Sequence, residues 1–262
     1  MIDAYSILEK IRAQKPLIHH LTNWVTIYDC AQVTRTIGAL PVMAHAPEEV
    51  GQMARSSSAL VLNIGTLTRE FVDSMIVAGE AANSKRIPVV LDAVGVGATD
   101  MRTSEARMLM REIKVDIVKG NAGEIGALAG VETEVRGVES ISVKGKPEDI
   151  AASFAKRTKS VVVITGKTDV VSDGKRTYKV HNGHELMGKV VGTGCMAASV
   201  IAAFAAVEKD YAKAAAAALA CFGITGEIAA KDAKGPGTFK EAFFDVLYNL
   251  DEKQINEKIK IE

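Results

Sequence analysis

The sequence predicts an α/β protein: a three-layer α/β/α arrangement with a mostly parallel central sheet. Two observations carry this. From Ala59 onward, apolar runs of strand length alternate with amphipathic segments of helix length. The strand-like runs are also near-continuous Val, Ile and Leu, the pattern of strands buried on both faces by flanking helices. At 262 residues the chain is long enough to bury a sizeable core. No linker, repeat or low-complexity tract divides it, so residues 1–262 are expected to form one domain.

Taken in order, Ala4 to Arg12 reads as a helix, Leu17 to Leu21 as a short apolar strand, and Val25 to Gly38 as a second helix. Asn23, between them, is a good helix-capping type. Leu40 to Ala44 is a brief extended piece, and Pro47-Glu48-Glu49 is a typical first helical turn. Next come a strand over Ala59 to Ile64 and a helix over Arg69 to Ala82 with Phe71, Met75, Ala78 and Ala82 on one face. The strand Pro88 to Leu91, a helix over Ser104 to Glu112, the strand Val115 to Val118 and a helix over Ala122 to Ala129 follow. Ser142 to Asp149 reads as a loop opening a helix that runs to Lys156, and Val161 to Ile164 is again a strand. Val170 to Ser172 and Thr177 to Val180, joined through Asp173-Gly174, read as a hairpin at one margin. The β-branched pair Val190-Val191 reads as a strand end turning through Gly192 into a helix. From there the chain is helical, with Tyr211 to Ala230 and Phe239 to Tyr248 separated by a Gly-Pro turn.

Composition excludes several classes. Lys+Arg and Asp+Glu both number 32, so there is no basic excess for nucleic acid and no acidic excess for disorder. A small-molecule partner fits better. Cys30, Cys195 and Cys221 are far apart, with no C-x-x-C and no metal-ligand spacing, as expected for reduced thiols in a cytoplasmic protein. His19 and His20 are adjacent and point oppositely on a strand, and His181 and His184 flank an Asn-Gly turn. The segment Met1 to Ala13 carries four charged residues and no signal-peptide core. Met196 to Val207, taken as the longest strongly apolar run, is too short to span a bilayer, so no membrane is expected as a partner.

The chemistry collects where strands end. Asn63 with Gly65-Thr66, Asp92 with Gly95 and Gly97, Lys119-Gly120-Asn121 with Glu124, Thr165-Gly166, and Gly192 to Cys195 all follow apolar runs. In an open parallel sheet those ends form one crevice, where ligands bind. Asp92 and Glu124 beside Lys119 suit a Mg²⁺-bound nucleotide: carboxylates for the metal, an ammonium for phosphate. The glycines of Val190 to Ser199 let backbone N–H groups approach an anion at a helix N-terminus. Cys195, at that helix start, is expected to feel the dipole and carry a lowered pKa, unless it is simply a small buried thiol. Gly183 to Lys189 matches G-x-x-x-x-G-K, but Val190 stands where Ser or Thr should bind Mg²⁺, so it is no Walker A loop. Gly192 to Ala197 matches G-x-G-x-x-A without a following acidic strand, which argues against NAD.

Together these residues resemble the hydroxyethylthiazole kinases, a thiamine-salvage branch of the ribokinase-like superfamily. The resemblance runs through His20-Leu-Thr-Asn23, Pro41-Val-Met-Ala44, Leu62-Asn-Ile-Gly-Thr66, Leu91-Asp92 to Thr99, Lys119-Gly-Asn-Ala-Gly-Glu124, Ile164-Thr-Gly166, His181-Asn-Gly-His184, Gly192 to Cys195 and Gly235-Pro-Gly237. Cys195 narrows the family, since most of the superfamily has Asp there. Ala93 and Lys119 stand where Pro and Arg are frequent. The resemblance implies a ribokinase-like fold, ATP as donor, Mg²⁺, and a homotrimer with a thiazole alcohol bound between subunits. By position it implies a catalytic Cys195; substrate contacts at Asn23, Met43 and Gly192; ATP contacts at Lys119, Thr165, Thr193 and Gly194; and Mg²⁺ served by Asp92 and Glu124. The residues alone leave open a kinase of another small alcohol, a Cys-nucleophile enzyme and a nucleotide sensor.

Overall fold

The computed structural model of the chain describes residues 2–131, 133–136, 139–143 and 145–262. In order the elements are α1 (Ala4–Gln14), β1 (Leu17–Leu21), α2 (Ile27–Thr36), β2 (Leu40–Val42), α3 (Pro47–Ser56), β3 (Ala59–Asn63), α4 (Arg69–Lys85) and β4 (Val89–Asp92). Then come α5 (Asp100–Glu112), β5 (Ile117–Asn121), α6 (Ala122–Ala129), β6 (Thr133–Arg136), β7 (Glu139–Val143), α7 (Pro147–Thr158), β8 (Val161–Thr165), β9 (Asp169–Ser172) and β10 (Thr177–Val180). The chain closes with α8 (Thr193–Val207), α9 (Tyr211–Ala229), α10 (Pro236–Asn249) and α11 (Glu252–Lys258).

Eight strands form one sheet in the order β10-β9-β8-β5-β4-β3-β1-β2. The six from β8 to β2 run parallel; β9 runs against them, and β10, paired antiparallel to β9, completes the expected hairpin at the margin. Strand residues alternate between two cores. Val61, Val90, Ile117 and Val163 pack toward α8 and α9, while Leu62, Leu91, Val118 and Val162 pack toward the α3 to α7 layer. Because both faces are apolar, the period-two signal is hidden in the sequence and only the continuous apolar runs show. Helix starts follow local chemistry: Thr68 and Thr99 cap α4 and α5, and Asn121 and Glu124 form a reciprocal capping box at α6.

Four expectations change. The antiparallel pair β6–β7 was not anticipated, and Ser142 and Val143, expected to lie in a loop, belong to β7. α5 begins at Asp100, capped by Thr99, rather than at Ser104. Val190-Val191 is no strand: a 3-10 turn over Glu185–Lys189 precedes it, and no neighbouring strand is paired there. The longest apolar helix is α9, not the run from Met196. α9 is long and apolar enough to cross a membrane, but most of it lies buried inside the protein, against α8 and α10.

Candidate active site

Parallel pairing puts all six carboxyl ends on one edge. The register pairs Asn63 with Asp92 and Asp92 with Lys119, so three polar residues stand in a row across β3, β4 and β5. Counted by twos from Val61, Val90 and Ile117, all three lie on the α8 face. The N-terminus of α8 comes down onto them. Gly192 holds φ +90 as the residue before the helix, and a Cβ there would sit 2.5 Å from Thr26 Cγ2, so only glycine allows this approach. A Cβ on Gly194 would lie 3.1 Å from Lys119 Nζ, which places the ammonium directly under the first turn. No side chain caps α8, and the amides of Gly194 and Cys195 have no acceptor one turn back within the helix. They form an electropositive nest above a buried cation.

One hydrogen-bonded network links the row to the helix. Lys119 Nζ donates to Asp92 Oδ1 at 2.9 Å, and Asn63 Nδ2 to Asp92 Oδ2 at 2.7 Å. The Cys195 sulfur accepts from Asn63 Nδ2 at 3.3 Å and from Asn23 Nδ2 at 3.4 Å. Asn23 spends its Oδ1 on the amides of Val25 and Thr26 and on the Thr26 hydroxyl, so it shapes the turn into α2 while reaching the sulfur. Glu124 accepts the amides of Gly95 and Asn121, each at 2.7 Å.

These contacts set the charges. Burial raises Asp92 against the opposing pull of Lys119. Burial alone would lower Lys119, but Asp92 and Glu124 outweigh it and keep the ammonium charged. Burial raises Glu124, opposed by Lys119 and by its two amide donors. The lowered pKa expected for Cys195 is overturned: burial and then the Asp92 charge push the thiol up, against the opposing pull of Lys119. Cys195 is a thiol at neutral pH.

Thr165, Lys119, Asp92, Asn63, Asn23 and Met43 succeed one another along the edge from β8 to β2. At the β8 end a cavity of about 740 Å³ opens, lined by Thr165, Asp169, His181, Thr193, Gly194 and Phe222 among others. Gly183 and Gly188 of the rejected Walker-like stretch line it too. Met43 stands at the opposite end, half-buried just past β2 and outside the hydrogen-bonded network. Cys195 and the nest lie between.

The supporting roles of two residues escaped the sequence. Asn63 was visible as a strand-end polar residue, but nothing local showed that it joins Asp92 to Cys195. Arg102 donates to the carbonyls of Ile64, Gly65 and Val94 and so ties the loops after β3 and β4 together. An arginine on an amphipathic helix carries no local signal of that role.

Comparison with known proteins finds relatives over nearly the whole chain. The sequence model of the hydroxyethylthiazole kinase family matches residues 8–253. A protein of Methanosarcina mazei named hydroxyethylthiazole kinase is 58% identical over 255 residues, which are 97% of this chain and 98% of that one. The solved structure of a hydroxyethylthiazole kinase protein from Pyrococcus horikoshii superposes with a TM-score of 0.92 at 40% identity, covering 100% of this chain and 99% of that one. A ribokinase-like superfamily protein from Enterococcus faecalis shares the fold, with a TM-score of 0.66 at 12% identity over 94% of each chain.

Proposed function

The chain belongs to the hydroxyethylthiazole kinase family, and from that premise we propose that it phosphorylates the primary alcohol of 5-(2-hydroxyethyl)-4-methylthiazole, with ATP as donor, in thiamine salvage. One observation carries the reading: the uncapped first turn of α8 sits above Lys119, between a nucleotide-sized cavity and the Asn23–Met43 end of the crevice. A phosphoryl group held there faces the cavity on one side and an alcohol on the other.

The residues divide accordingly. Thr165, Thr193, Gly194 and Lys119 bind the nucleotide, while Asn23, Met43 and Gly192 form the alcohol's pocket. The amides of Gly194 and Cys195 and the Lys119 ammonium meet charge on the moving group. Phosphoryl transfer passes through a loose transition state, so alignment and charge stabilisation do most of the work. Cys195, a thiol, orients the alcohol oxygen. The alcohol's proton leaves late, onto Sγ, as the thiol's own proton passes to the Asp92 carboxylate, which shares the Asn63 amide nitrogen with the sulfur.

The donor set suits Mg²⁺ in one manner. Both oxygens of Asp92 and both of Glu124 already hold protein donors. Among the described residues, no three His, Cys, Asp or Glu side chains converge on a cage. Two carboxylates with lone pairs to spare fit an ion that keeps much of its water and leans on phosphate oxygens. Asp92 and Glu124 would hold it, and when bound it would neutralise phosphate charge.

We also propose a cytoplasmic homotrimer with sites between subunits. Support comes from an exposed apolar group beside the site, Trp24, Val25, Tyr28 and Val191, each more than 60% exposed. The Gly192–Thr26 approach brings Val191 near Val25. Such a patch marks an interface. Mass detection of the phosphorylated thiazole after incubation with Mg-ATP tests the activity; no product with an intact chain would end the reading. Sedimentation of Tyr28→Asp tests the assembly, with loss of the trimer expected.

A further inference from the structure

We propose that Asn63 is a positioning residue for the transfer: its one amide group holds the Cys195 sulfur and the Asp92 carboxylate in fixed relation beneath the α8 nest. The inference rests on the kinase reading of this site.

The amide's orientation is decided by its neighbours. The backbone N–H of Gly65 can only donate, and it lies 2.9 Å from Asn63 Oδ1. Asn23 Nδ2 donates to the same oxygen at 2.9 Å. The oxygen therefore faces Gly65 and Asn23, which sends Nδ2 the other way. Its two hydrogens are then both used, one on Asp92 Oδ2 at 2.7 Å and one on Cys195 Sγ at 3.3 Å. The side chain is 1% exposed at the end of β3, directly opposite Asp92 in the sheet register, so neither χ angle has freedom to spare. Arg102 fixes the loop beyond, donating to the carbonyls of Ile64 and Gly65. No other side chain of the network bonds both Asp92 and Cys195. Lys119 holds Asp92 alone, and Asn23 holds the sulfur alone.

Asn63 need not touch either substrate. It acts through Cys195 and Asp92 by keeping the sulfur from swinging off the line between the nest and the alcohol. A displacement of about 1 Å at such a centre can cost ~10²-fold in rate. An asparagine that merely filled space would affect folding and leave the residual rate of other variants untouched.

The test is a double-mutant cycle on steady-state kinetics with Mg-ATP and the thiazole alcohol. Asn63→Ala is expected to lower kcat about 30-fold with both KM values within about twofold, because the lost interaction serves the transition state and not binding. Cys195→Ala is expected to lower kcat about tenfold. Combined, the two should cost no more than Asn63→Ala alone, since Asn63 has lost the group it positions. If the double variant shows the product of the single losses, or if Asn63→Ala changes only KM, the proposal is overturned. Should Asn63→Ala fail to fold, Asn63→Ser, which keeps one donor, enters the same cycle with a smaller kcat loss expected and the same coupling. Wild-type chain that makes no product would sink the kinase reading and this inference with it; wild-type turnover with additive losses would sink only the inference.

Discussion

Replacing Gly192 by alanine measures how tightly α8 is set down on α2. The residue has φ +90, where an L side chain costs about 1–2 kcal/mol. The new methyl would also lie 2.5 Å from Thr26 Cγ2 and 3.1 Å from Thr26 Cβ, far inside van der Waals contact. Forcing a carbon into a packed site costs about 1–3 kcal/mol, so Gly192→Ala should lose roughly 2–5 kcal/mol in all. Thr26→Ser removes Cγ2 but keeps the hydroxyl that Asn23 Oδ1 accepts at 3.1 Å. In that background Gly192→Ala should cost less, with about 1–2 kcal/mol left for the backbone and a smaller remainder for the 3.1 Å contact to the residue's Cβ. Urea unfolding followed by circular dichroism reads both costs. Activity should fall as well, by about 10²-fold, because lifting α8 misplaces the amides of Gly194 and Cys195. Unchanged stability in the single variant, or no recovery with Thr26→Ser, would refute the claim that this contact seats the helix.

Cys195→Ala should lower kcat with little change in KM, and an unaltered kcat would remove the thiol from the mechanism. Cys195→Asp should retain kinase activity, since a carboxylate can hold the alcohol's proton in the same place; a folded but dead variant would count against that role. Lys119→Met leaves Asp92, 0% exposed, without its cation, and should cost about 3–5 kcal/mol of stability as well as nucleotide affinity. In that variant the destabilisation should grow as pH rises from about 4, where unfolded Asp92 ionises while the buried group resists; equal loss at pH 4 and pH 8 in urea titrations would contradict this. His20, fully buried between β1 and α8, has its pKa lowered by burial from 6.5 to about 3. Its folded value lies below its unfolded one, so its contribution is complete above pH 6.5 and is lost as pH falls toward about 3. His20→Asn should flatten the fall in melting temperature over that window, and an unchanged slope would remove His20 as a source of acid lability.

The sequence by itself determined the alternation of strands and helices, the marginal hairpin at Asp173-Gly174, and the gathering of Asn63, Asp92, Lys119, Thr165 and Gly192 to Cys195 at strand ends. These are local facts: apolar runs of given length, capping residues, and glycines where the backbone must turn. Their resemblance to one family of kinases was also readable, because the motifs recur in order along most of the chain. Tertiary structure decided the rest. Which polar residue faces which helix depends on register between strands far apart in sequence, and strands buried on both faces give no alternation from which to read it. The protonation of Cys195 likewise depended on what surrounds it. A helix start favours a thiolate, but burial and a carboxylate from a strand a hundred residues earlier push the thiol up instead. Electrostatic free energy is set by distance and dielectric in space, and only the folded chain fixes those two quantities.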